Sequence, residues 1–343
     1  MILLKKYFLI GVIDIKKNQL KGAFFLICTA VIWGLSFVAQ SKGMDVIGTF
    51  TFNGIRTVIG STVLIPFIIY SDYRKEKKIK KLPNDEQSKI KANKKLENKN
   101  LLKGGILCGI ALCIGGNLQQ DAFNYTTVGR IGFITALYMI IVPILGIFMK
   151  KKVRPIIWAS AVLGSFGLYL LCASGEGVAF GKGEFLTLLS AIAFSFHILI
   201  IDKYSPLVDG VKLSCIQFAV SGVVSCVLML IFETPTWHSI LAAAPYLIYA
   251  GAMSCGIAYT FQILGQRDCE PTVASLLLCT ESVFAALFGW LILNETLSVA
   301  EITGCAIMFV AIILSQIADV DITKVFSKVV SKIKRCIVSK ESV

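Results

Sequence analysis

The sequence predicts an all-α integral membrane protein with ten transmembrane helices, arranged as two inverted five-helix repeats (5+5) with the N- and C-termini cytoplasmic. Three observations carry this prediction. The 343 residues are 56% hydrophobic with a mean hydropathy of +0.76, and only 16% are charged, against about a quarter charged in soluble domains. The charges are gathered into short blocks between long uncharged runs. The blocks themselves alternate in size along the chain, as expected when positive charge collects on one side of a membrane.

Crossing ~30 Å of hydrocarbon takes about 20 apolar residues in a helix. The candidate spans lie near 22–41, 47–70, 102–120, 128–149, 156–174, 183–202, 212–233, 240–264, 272–293 and 298–317. Helix is preferred to barrel strand because the runs are continuously apolar and do not alternate. Thirty of the 34 Lys and Arg then fall at the N-terminus, in the segments after spans 2, 4, 6 and 8, and in the tail; the opposite side holds Lys42, Arg130 and Lys182, and Arg56 lies inside span 2. The chain therefore divides into an N-terminal cytoplasmic segment (1–21), a first repeat (22–174), a second repeat (183–318) and a basic tail (319–343). Within the first repeat, the Lys- and Asn-rich 71–101 reads as a solvated, poorly ordered loop. The tail places Ile322, Val325, Phe326, Val329, Val330, Ile333 and Ile337 at helical spacing among lysines, which predicts an amphipathic helix on anionic inner-leaflet lipid. No removable signal is expected at the N-terminus. The net charge of +13 thus has a membrane explanation, and no nucleic-acid partner is inferred. The eleven cysteines lack paired spacing and read as small packing residues rather than metal ligands or disulfides.

The two halves repeat. A shift of 161 residues lays "GAFFLICTAVIWGLSF" (22–37) over "GEFLTLLSAIAFSFHI" (183–198) and Ile55-Arg56 over Ile216-Gln217; after the Lys-rich segment, a shift of 145 lays "TVGRIGFIT" (127–135) over "TVASLLLCT" (272–280). An odd number of spans per repeat makes the second copy enter from the opposite face. Inverted repeats of this kind are a common architecture of secondary transporters.

"AVIWGLSFVAQ" (30–40), the arginine of "FNGIRTVIGSTVLIP" (52–66) and "TESVFAALFGWLILNETLSVAEITGCAIMFVAIIL" (280–314) together resemble the EamA family of the drug/metabolite transporter superfamily, over about residues 20–318. The resemblance implies ten helices in two repeats and outward movement of small metabolites, often amino acids or other polar compounds, across the cell (plasma) membrane. This chain departs from the family where Glu281-Ser282 stands in place of Glu-Pro, so any kink there must arise without proline.

Glu281 is the one full charge in "LLLCTESVFAALFGW" (276–290) and falls near the midplane, as does Arg56. Two readings stand: the two groups form a structural pair, or Glu281 faces a cavity and exchanges a proton as substrate moves. Further polar residues at spanning depth, Asn117, Gln120, His197, Gln217, Tyr259 and Gln262, suit recognition of a zwitterion or polar organic molecule, or bonding between helices. Trp33, Phe37, Tyr138, Phe194, Phe261 and Phe284 are either cavity walls or core. The candidate cavity set is Trp33, Arg56, Asn117, Gln120, Tyr138, His197, Gln217, Tyr259, Gln262 and Glu281, with no catalytic residue, cofactor or metal ligand expected.

A pump would need a nucleotide site, and "GEGVAFGKG" (175–183) has the wrong glycine spacing and ends on Gly183 in place of Ser or Thr. An intramembrane enzyme would need clustered His, Asp or Glu, and the chain has two histidines. A passive channel or facilitator, and a non-transport membrane protein such as a receptor or intramembrane enzyme, remain the alternatives to a secondary transporter.

Overall fold

A backbone in lipid must satisfy its own hydrogen bonds. The computed structural model describes residues 17–126, 128–150, 153–172, 181–293 and 298–317, and among them every regular element is helical. Helices α1 (Lys17–Met44), α2 (Thr49–Ile79) and α3 (Asn84–Ala122) are followed by two short ones, α4 (Val128–Ala136) and α5 (Tyr138–Phe148), and then α6 (Pro155–Cys172). The second half begins with α7 (Lys182–Tyr204) and α8 (Gly210–Phe232). It continues through α9 (Trp237–Ala242), α10 (Ala244–Ile248), a π-helical stretch Tyr249–Ala258 and α11 (Tyr259–Gln266). The last elements are α12 (Pro271–Leu278), α13 (Glu281–Leu293) and α14 (Val299–Ile317). Seven helical runs among the described residues are long and apolar enough to cross a membrane, and three shorter apolar helices accompany them. The 1–16 segment, the amphipathic tail and Asn294–Leu297 lie outside the described residues.

Three expectations are corrected. Residues 71–101 are not a poorly ordered loop: α2 runs on to Ile79, and α3 begins at Asn84 directly after Pro83. Lys, Glu and Gln are good helix formers, and Glu76 with Lys80 forms an i,i+4 pair at 3.0 Å. The spans expected at 128–149 and 272–293 are each broken in the middle, at Leu137 and at Cys279–Thr280. The span expected at 240–264 is subdivided and carries the π stretch, where a residue is accommodated at the expense of regular packing.

Helix pairing follows the repeat. α2 packs on α8, and α6 on α14, each pairing an element with its equivalent in the other half. α3 packs on α7 as the π–α11 run packs on α1; α3 meets α8 as the π stretch meets α2; α4 and α5 meet α7 as α12 and α13 meet α1. The pairing is thus unchanged when the halves are exchanged. Close approach depends on Gly105 and Gly109 of α3, where a Cβ would come within 2.4 Å of Ile216 and 2.7 Å of Val220 of α8.

The α2–α8 pair is fastened at both ends. At one end Glu233 accepts from the backbone N–H groups of Phe50 and Thr51, each at 2.8 Å, and from Thr51 Oγ1 at 2.6 Å, capping the α2 N-terminus. At the other, Lys212 Nζ lies 2.7 Å from the Asp72 carboxylate and Lys75 Nζ 2.5 Å from Asp209. The 161-residue shift carries Thr51 onto Lys212 and Asp72 onto Glu233, so the two fastenings use one pair of positions twice.

Candidate functional site

The two broken helices meet each other. Without proline, the break between α12 and α13 is built from tightened turns and side-chain bonds: Thr280 Oγ1 donates to the Leu277 carbonyl at 2.6 Å, and the backbone N–H of Thr280 reaches the same oxygen. Its partner break frees the carbonyl of Ala136, because Ile140 N–H turns to Leu137 instead. Cys279 Sγ donates to that Ala136 oxygen at 3.2 Å, and Ser282 Oγ to Gly132 O at 3.4 Å. The local exception to helical hydrogen bonding in one half is therefore satisfied by the exception in the other. The crossing places Tyr138, the first residue of α5, against Glu281, the first residue of α13, with Tyr138 Oη donating to Glu281 Oε1 at 3.2 Å. Helix α1 closes over the same point: a Cβ on Gly34 would fall 2.9 Å from the Glu281 carbonyl and 2.8 Å from Ala285 N.

Beside this crossing lies a cavity between α1, α2, α3, the broken helices, α7, the π stretch and α11. Seven of the ten residues singled out in the sequence line it: Trp33, Arg56, Tyr138, His197, Tyr259, Gln262 and Glu281. Phe37 and Phe194 line it too, whereas Phe261 and Phe284 do not. Asn117, Gln120 and Gln217 are not on its wall and bond between helices. Asn117 Nδ2 donates to Ser225 Oγ at 3.0 Å, Gln120 Nε2 to Gln40 O at 3.2 Å, and Gln217 Oε1 sits 3.0 Å from His197 Nε2.

Sequence reasoning missed Gln40, Gln119, Thr135 and Ser254 on the wall. Gln40 was within reach, since it follows Trp33 and Phe37 at helical spacing. Gln119 and Thr135, bonded to each other at 3.0 Å, had no such signal.

Of the two readings, the Arg56–Glu281 pair does not form: among the described residues no ion pair within 4.0 Å joins them. Arg56 donates from Nη1 to Gln40 Oε1, and Glu281 accepts from Tyr138. Both are buried, at 8% and 4% exposure. Their hydrogen-bond partners, Gln40 and Tyr138, are neutral. Arg56 Nε, Trp33 Nε1 and the acceptor Gln262 Oε1 are buried without a partner. Orphaned polar atoms are rare in folded proteins and expensive in a low-dielectric interior, and these three belong to residues on the cavity wall. Its aromatic side is assembled around Tyr259, whose ring lies 4.5 Å from Trp33 and 5.2 Å from Phe218 between centroids.

Comparison with known proteins agrees with this architecture. An uncharacterized transporter of Archaeoglobus fulgidus is 27% identical over 290 residues, covering 84% of this chain and 83% of that one. The uncharacterized transporter YoaV of Bacillus subtilis is 23% identical over 304 residues, covering 84% and 94%. A WAT1-related chloroplastic protein of Arabidopsis thaliana is 24% identical over 303 residues, covering 84% and 68%. One solved crystal structure of a protein has the same fold, with a TM-score of 0.67 at 14% identity over 86% of this chain and 96% of that one. The EamA-like transporter family matches residues 20–173 and again 181–316, and with both halves of a multi-pass helical membrane protein accounted for, the chain belongs to that family.

Proposed function

We propose that the protein is a secondary, non-ATP-driven exporter of small polar metabolites of the amino-acid class, working by alternating access in the plasma membrane. In this reading the chain makes ten spans in two inverted repeats with both termini cytoplasmic. The exchange-invariant helix pairing and the charge distribution of the segments between spans support it. One observation carries the substrate class: Arg56 and Glu281 line one cavity without pairing. Opposite charges held apart in a low-dielectric interior are stabilised most by a guest that brings its own opposite charges, a carboxylate toward Arg56 and Trp33 and an ammonium toward Glu281 and Gln262. A proton on Glu281 takes the place of the ammonium when the cavity is empty, which couples substrate movement to a proton.

The test is counterflow in proteoliposomes with a panel of amino acids and related metabolites, with and without a pH gradient. Wild type accumulates a zwitterion; Arg56→Gln and Glu281→Gln each lose at least about tenfold in rate, as expected when a charged hydrogen bond of about 1.5–3 kcal/mol is removed. Flux of no compound on the panel would sink the transporter reading. Normal transport by Glu281→Gln at every pH would remove proton coupling through that residue.

A further inference from the structure

Among the described residues three charged side chains are buried, Arg56, Glu184 and Glu281, and of these Glu184 alone does not line the cavity. It lies in the first turn of α7, where it accepts from the Gly181 N–H at 2.9 Å. Across a seam between elements it also accepts from Thr126 Oγ1 at 2.5 Å and pairs with Arg130 Nη1 of α4 at 3.6 Å; the carboxylate is 7% exposed and the guanidinium 29%. Gly183 keeps the seam tight, since a Cβ there would come within 2.8 Å of Thr126. Phe37, Ile131, Phe123 and Leu186 form an apolar layer along the same elements, and Phe37 is also on the cavity wall. The repeat places a counterpart of this seam at the other end of the bundle. Gly22, which the 161-residue shift lays on Gly183, sits equally close to the turn between α11 and α12: a Cβ there would lie 2.8 Å from Gly265 O and 2.9 Å from Cys269 Sγ. The apolar layer recurs as well, because the same shifts carry Phe37 and Ile131 onto Ile198 and Leu276, both buried. The buried pair does not recur. Glu184 corresponds to Ala23 and Arg130 to Ser275, and the Arg267 and Glu270 side chains of that turn are exposed.

We propose that the Glu184–Arg130 pair is a latch that holds the cavity shut at this end, the external one in the proposed topology, and biases the protein toward the state open to the other side. The proposal rests on the alternating-access reading and deepens it. Close glycine packing and an apolar layer seal both ends alike, so they favour neither direction. Only one end adds a charged contact, and that contact exists only while the end is shut. Opening carries Glu184 away on α7, with its Gly181 N–H, and leaves Thr126 and Arg130 behind on the α3–α4 side. An interaction made in one of two states shifts the balance toward that state by its full differential strength. Water takes over the parted charges once the seam is open, so removing either partner weakens the shut state alone.

Accessibility of the cavity wall reads this balance without any substrate. Thr135→Cys puts a thiol on the wall, in a stretch whose nearest native cysteines are Cys113 and Cys172, so its labelling by a membrane-impermeant maleimide can be followed by peptide mass spectrometry. In intact cells carrying the full-length protein, Glu184→Gln and Arg130→Gln should each speed external labelling of that thiol at least about tenfold, as expected when a charged contact present in one state is removed. The double variant should match the faster single variant, because both substitutions remove the same contact. In inverted vesicles the rate should hold or fall. Arg130→Gln, at the more exposed partner, decides the matter if Glu184→Gln yields no monodisperse protein. Unchanged external labelling in Arg130→Gln overturns the latch, and so does equal acceleration from both faces, the result expected if the pair only braces the fold. Acceleration in inverted vesicles alone supports the latch and overturns the proposed topology. Accelerated external labelling beside a counterflow panel without flux overturns the transport reading and leaves the latch standing.

Discussion

Replacing Glu233 with alanine removes three bonds at once from the α2 N-terminus, two from backbone N–H groups and one from Thr51 Oγ1. A lost helix cap costs about 0.5–2 kcal/mol, and a hydrogen bond to a charged group contributes about 1.5–3 kcal/mol. The group is half-buried, so water recovers part of this, and the expected net loss is about 2–3 kcal/mol. Asp72 occupies the equivalent position at the other end, but its ion pair with Lys212 is 47% and 25% exposed and such pairs contribute about 0–1 kcal/mol. Thermal unfolding in detergent should therefore fall clearly for Glu233→Ala and barely for Asp72→Ala, despite their equivalence in the repeat. A second perturbation isolates the cap itself. A Cβ on Gly48 would lie 2.4 Å from Glu233 Cδ and 2.6 Å from both carboxylate oxygens, so Gly48→Ala displaces the carboxylate and costs about 1–2 kcal/mol of the same cap. In a Glu233→Ala background there is nothing left to displace, and Gly48→Ala should be close to neutral, giving a coupling of at least about 1 kcal/mol. Asp72→Ala as damaging as Glu233→Ala, or additive losses in the Gly48 double mutant, would refute the argument.

Gly34→Val should abolish folding or cost about 3 kcal/mol or more, measured as loss of monodisperse protein, because the clashing atoms include backbone of α13 that cannot turn aside. Tyr138→Phe leaves Glu281 without its hydrogen-bond donor. It should shift the pH dependence of transport while preserving the detergent melting temperature to within a few degrees. At Asp209, burial raises the carboxyl pKa, but the Lys75 hydrogen bond and charge and the backbone N–H groups of Lys212 and Val211 outweigh it, leaving it below its ordinary value. A depressed carboxyl stabilises the fold above its unfolded pKa of about 3.9 and loses that contribution as pH falls through the folded value. Asp209→Asn should thus lower stability at neutral pH, and the gap to wild type should close below about pH 4.

The helical runs and their repetition were legible because lipid imposes two strong rules, about 20 apolar residues per crossing and charge outside. The cavity wall was legible wherever a residue was out of place in lipid, as Arg56, His197 and Glu281 are. What could not be read depends on contacts between distant segments. The break at Cys279–Thr280 contains no proline or glycine; it exists because Ala136 and Gly132 offer carbonyls across the molecule. The failure of Arg56 and Glu281 to pair follows from Gln40 and Tyr138 reaching them first, and neither partner carries a charge that would have announced it. The helical course of 71–101 was misjudged for the opposite reason: its composition suits both solvated coil and charged helix, and the continuing ends of α2 and α3 decide between them.

α2 and α8 are fastened to each other at both ends, as an axle through the protein would be. Under the proposed alternating access, a rearrangement that spares these fastenings would turn the remaining helices about a seam that stays closed. Arg56 sits on this fastened pair, while Glu281 begins α13, which packs mainly on α1. Under such a rotation the positive charge would keep its depth and the negative charge would travel. The gap between them, and with it the grip on a bound dipole, then changes with the position of the halves.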